Sequence, residues 1–93
     1  MITDKGRLER AYARFPRESL VKLRPPFMYF SLGGRVGHRR SDRVVVVVVE
    51  DIRFLYGWPV VAFRDESGFL WGVYLEVPVP VTALEALAAL EQR

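Results

Sequence analysis

The segment Gly33-Gly34-Arg35-Val36-Gly37-His38-Arg39-Arg40-Ser41-Asp42-Arg43 gathers three glycines, four arginines and the chain's only histidine into eleven residues. Glycine lets consecutive backbone N–H groups converge on an anion, and arginine forks grip phosphate oxygens in pairs, so the stretch is chemically competent to hold phosphate. Arg35, His38, Arg39, Arg40 and Arg43 are its candidate contacts. A Walker-type nucleotide loop is excluded, because no Gly-Lys-Ser/Thr opens a helix here. The simpler alternative is a long twisted hairpin whose glycines form bulges and whose arginines keep the tip in water.

Other chemistries lack their parts. One histidine and no cysteine leave tetrahedral zinc or copper without ligands. The carboxylate pairs Glu50-Asp51 and Asp65-Glu66 fall where strands end, positions at which acidic residues shape turns and guard edges. Ser41 and Asp42 lie close to His38 in sequence, yet no nucleophile elbow surrounds them, so a hydrolytic triad is not indicated. The expectation is a protein without cofactor or metal, and not an enzyme.

The elements that must carry this segment are read from patterning. Ninety-three residues, 51% hydrophobic and 27% charged, suit one globular domain with a well-supplied core. The longest aliphatic run, Val44 to Val49, is far short of the ~18 residues a membrane-spanning helix needs. The amino terminus has no apolar signal-like core, so a cytoplasmic protein with no membrane partner is expected. Arginine outnumbers lysine twelve to two, as in a GC-rich genome, and asparagine is absent, as in many thermophiles. The pI of 9.7 is therefore weak evidence of a nucleic-acid partner. The charge is uneven nonetheless: residues 1–43 hold eleven Lys/Arg against four Asp/Glu, whereas 44–93 hold three against seven.

Leu8, Ala11, Tyr12 and Phe15 recur at helical spacing and predict an amphipathic helix over about 4–15, with Arg7, Arg10 and Arg14 on another face. At Pro16 the helix either stops at Phe15 or re-aims, with Pro16 opening a short second turn through Leu20 and Val21. Four antiparallel strands are expected near 27–38, 43–50, 52–64 and 69–77, the third bent at Gly57-Trp58-Pro59. Six successive valines predict a central strand buried on both faces. Asp65-Glu66-Ser67-Gly68 predicts a hairpin turn, after which Phe69, Trp71, Val73, Leu75 and Val77 share a core face. Thr82 with Glu85 makes a capping box for a helix over about 82–92, with Leu84, Leu87 and Leu90 as its apolar ridge. The class is α+β, one four-stranded sheet with a helix at each end of the chain. Two helices hardly cover both sides of such a sheet, so the second face either meets another subunit or is closed by barrel-like curvature, and the first functional expectation is an interaction domain acting as a homodimer. The second is nucleic-acid or anionic-ligand binding through residues 33–43.

Overall fold

The computed structural model describes residues 3–33 and 37–91. Helix α1 spans Asp4–Arg14, and its first turn is closed by Thr3, whose hydroxyl accepts the Gly6 N–H at 3.1 Å. Pro16 stops it, since the residue before proline is driven out of helical geometry. Of the two expected courses after Phe15, the helix stops and no second helical turn follows. Ser19 N–H bonds Pro16 C=O, the chain reverses, and Leu20–Leu23 extends as strand β1. Leu20 and Val21 are consistent with either state at this length, and a strand partner decides between them.

That partner is the valine run. Strands β2 (Phe27–Ser31), β3 (His38–Ser41), β4 (Val45–Val48), β5 (Asp51–Leu55), β6 (Trp58–Arg64), β7 (Leu70–Tyr74) and β8 (Pro78–Pro80) complete the set before helix α2 (Ala83–Glu91). They form two antiparallel sheets, ordered β4-β1-β8 and β3-β2-β7-β6-β5, in place of the single four-stranded sheet expected. β4 is consequently an edge strand and not a central one. Val47 and Val49 are buried, whereas Val45, Val46 and Val48 are each 37% exposed. Six β-branched residues specify extended backbone, but nothing in them specifies two neighbours.

The expected bent strand over 52–64 is a hairpin. Tyr56 and Gly57 both have positive φ, 50° and 80°, which is the two-residue turn whose twist matches its flanking strands. Leu55 faces Trp58 across it, and Pro59 is tolerated because pairing with β7 begins one residue later, at Val60↔Tyr74. The expected strand 27–38 is likewise divided between β2 and β3. Its residues 34–36, with Arg35 among them, lie outside the described residues.

The Asp65–Gly68 turn matches its sequence signal. Gly68 has φ 85°, its N–H meets the Asp65 carbonyl at 3.0 Å, and Phe63 pairs with Trp71. One Asp65 oxygen accepts the Ser67 and Phe69 amides, and the other accepts the Trp71 indole at 2.9 Å. The core lies between α1 and the two sheets, with Phe15, Val21, Leu23, Val49, Val61 and Val73 fully enclosed. Of the expected core face on β7, Trp71 and Val73 are buried, Leu75 and Val77 pack at its border, and Phe69 is exposed. On the opposite face Gly72 admits Leu32 so closely that an added Cβ would stand 2.8 Å from its Cδ1.

Two outcomes are expected for the turn. Gly68→Val should destabilise the fold by about 1 kcal/mol or more, read from chemical denaturation, because valine resists positive φ. The Trp71 indole, aided by two amides and opposed by slight desolvation, holds Asp65 below its ordinary pKa. A lowered carboxylate pKa contributes stability that is complete above the unfolded value and vanishes as pH falls through the folded one. The melting temperatures of wild type and Asp65→Asn should therefore differ near pH 7 and converge only as the pH falls below the ordinary aspartate range.

Candidate functional site

Among the described residues, those expected to clamp phosphate do not share one face. His38, Arg39 and Arg40 belong to β3, and successive residues of a strand point to opposite faces. His38 and Arg40 go to one face, His38 with its ring 6.2 Å from Phe30 and Arg40 with its Nε 3.3 Å from Asp42. Arg39 goes to the other, its guanidinium 5.2 Å above the Trp71 ring. Arg43 lies in the crossing from β3 to β4, where the Ser41 hydroxyl accepts its backbone N–H at 3.2 Å. Arg35 lies outside the described residues.

The remaining candidates are engaged structurally. Ser41 Oγ is turned to the Arg43 backbone. Glu50 pairs with Arg64 at 2.7 Å and Asp51 with Arg53 at 2.8 Å, the latter bond raising the arginine's pKa further above its ordinary value. Among the described residues no group of histidines and carboxylates could hold a metal ion.

What the fold does expose is sheet edge. Two open sheets have four edges, and unpaired N–H and C=O groups along an edge invite another strand unless something blocks them. β8 carries Pro78 and Pro80, and β3 carries His38, Arg39 and Arg40. On β5 the Tyr12 hydroxyl accepts the Ile52 N–H at 2.8 Å and donates to the Ile52 carbonyl at 3.3 Å, so helix α1 fills the place of a neighbouring strand. β4 carries only valine.

The direction of its free groups is fixed. Val49 N–H meets Ser19 C=O and Val49 C=O meets Glu18 N–H, on the side of β1. Since that direction alternates along an antiparallel strand, Val45 and Val47 also bond β1, whereas Val44, Val46 and Val48 turn their amides and carbonyls outward. Beside this edge runs an open cleft of about 990 Å³. Tyr29, Phe63 and Trp71 line it opposite Val45 and Val47, and Leu90 borders it from α2.

Helix α2 supplies the apolar neighbourhood. Its capping box forms, with Thr82 Oγ1 accepting the Glu85 N–H and Glu85 accepting the Thr82 N–H. Lys22 pins it to β1 through a 2.8 Å bond to Glu85, whose pKa is lowered chiefly by that bond. Yet none of its residues is buried, and the ridge Leu84, Leu87 and Leu90 faces outward, Leu84 80% exposed. The sequence marks the valines and leucines as apolar but not as surface. Their edge position depends on β1, a strand that the sequence pattern does not mark.

Neither a family model, nor a curated protein, nor a solved structure matches the chain.

The guarded edge is open to test. Tyr12→Phe keeps the packing and removes the hydroxyl that both accepts from and donates to Ile52, so it should destabilise the protein by about 1–2 kcal/mol in urea denaturation. Amide exchange at Ile52 should accelerate with it.

Proposed function

We propose that the protein is a small non-catalytic interaction domain that works as a homodimer, two copies joined edge to edge through β4. The observation that carries this reading is the contrast among edges: three are blocked by proline, charge or a tyrosine hydroxyl, and the fourth is bare valine. A second copy fits this edge because a two-fold axis matches the strand with itself, so every outward N–H finds a carbonyl and the contact closes at two. Antiparallel self-pairing also brings Arg43 of one copy to the Glu50–Asp51 end of the other, which complements charge at both ends of the seam. The exposed Leu87 and Leu90 would then lie beside the joint, where a second α2 covers them.

Anion binding through residues 33–43 has less support. The described arginines there divide between two faces and a crossing, and Arg40 already meets Asp42.

Light scattering at micromolar concentration should report twice the chain mass of 10.7 kDa. Val46→Pro removes an outward N–H that the monomer does not use, so it should leave the melting transition nearly intact while weakening the dimer at least ~10-fold. A wild type that scatters as 10.7 kDa, or a proline variant that dimerises like wild type, would overturn the proposal.

A further inference from the structure

The β5–β6 turn carries a residue that costs the fold and gives it nothing. Tyr56 is 90% exposed and has φ 50°. At this place in a two-residue turn Asn, Asp or Gly is the default, and a bulky aromatic residue in the left-handed region strains the backbone. Such strain persists where a side chain serves something besides folding. Trp58, two residues on, is 64% exposed as well.

A stripe of cations leads away from this aromatic tip. Arg7, Arg10 and Arg14 are spaced i, i+3 and i+7 on α1 and share one face, while Glu9 projects about 200° round the helix from Arg7. Arg7 ties stripe to turn: its Nη2 donates to the Gly57 carbonyl at 3.0 Å, and its guanidinium lies 5.0 Å from the Phe54 ring and 5.9 Å from the Trp58 ring. Arg14 lies 4.7 Å over Phe15, a contact that leaves its charge uncompensated. Among the described residues neither Arg10 nor Arg14 forms a salt bridge, and Arg7 has only a 3.4 Å contact with Asp4.

We propose that this surface binds single-stranded nucleic acid, with bases stacking on Tyr56 and Trp58 and phosphates lying along Arg10 and Arg14. Exposed ring faces beside Arg10 and Arg14, which form no salt bridge among the described residues, are the two parts such binding requires, and paired bases in a duplex would offer no face to the rings. A lipid surface fits less well. A helix lying on a membrane needs an exposed apolar face, and the apolar residues of α1, Leu8, Ala11, Tyr12 and Phe15, are turned into the core.

The test uses the full chain and a short fluorescein-labelled oligothymidylate, followed by anisotropy and by quenching of the exposed tryptophan. Binding should be present at about 20 mM salt, and the slope of log affinity on log salt should flatten by about 1.4 in the Arg10→Ala/Arg14→Ala variant, two single-strand phosphate contacts' worth. Tyr56→Asn relieves the turn, so it should melt no lower than wild type yet bind about tenfold more weakly. Absence of binding at low salt, wild-type affinity in Tyr56→Asn, or sedimentation with phosphatidylserine vesicles in place of oligonucleotide binding overturns the proposal. So does loss of binding in Arg39→Ala/Arg40→Ala with Tyr56→Asn unaffected, which moves the contact to β3.

Discussion

The pairing of Leu20–Leu23 with Val45–Val48 is the contact on which the rest of the architecture depends. It turns Val47 and Val49 into the core that Val21 and Leu23 share, and it uses one side of the valine strand for hydrogen bonds. It also prevents one sheet from forming, because β1 takes β8 on its other side and leaves β2, β3, β5, β6 and β7 to a second sheet. The edges, the cleft beside β4 and the outward amides of Val44, Val46 and Val48 are all consequences of that division.

Edges are managed by different chemistry at each place. Proline removes a donor, charge resists desolvation, and Tyr12 satisfies both backbone groups of Ile52 from a helix. The last device also docks α1, since one hydroxyl joins helix to strand where Leu8, Ala11 and Phe15 supply the apolar contact. The bare valine edge therefore differs from its neighbours in kind. A strand of that composition left uncovered is an aggregation hazard, and a specific partner removes the hazard by pairing it.

The arginines show how tertiary neighbours change what a charge row means. Arg7, Arg14, Arg17 and Arg39 each lie over an aromatic ring, Arg17 at 5.0 Å from Tyr12. Ring faces hold a guanidinium without neutralising it, so these side chains are positioned and still charged. Arg53 and Arg64 instead form salt bridges with Asp51 and Glu50, within the acidic half of the chain. Among the described residues the salt bridges of the basic half are Lys22–Glu85 and the weak exposed contacts of Arg7 and Arg40, with Arg39 also acting on Asp65 through space.

The local elements were legible in the sequence where short-range physics decides them. Periodicity and Pro16 set α1, Thr82 with Glu85 set the start of α2, and Asp65 with Gly68 set one hairpin. Composition also established that residues 44–49 are extended and that no cysteine or second histidine could build a zinc site. What only the tertiary structure decided was which strands meet. Leu20–Leu23 reads as helix or strand with equal ease until β4 and β8 pair with it, and Tyr56-Gly57 closes a hairpin that a proline two residues later disguises as a bend. The same limit applied to the site: the arginines of 33–43 adjoin in sequence, but the two-residue period of β3 separates Arg39 from His38 and Arg40. Turn and cap energies act within four or five residues and are written in local sequence. Strand partners and edges are set by contacts between residues far apart in the chain, and a single sequence does not encode those contacts in any local pattern.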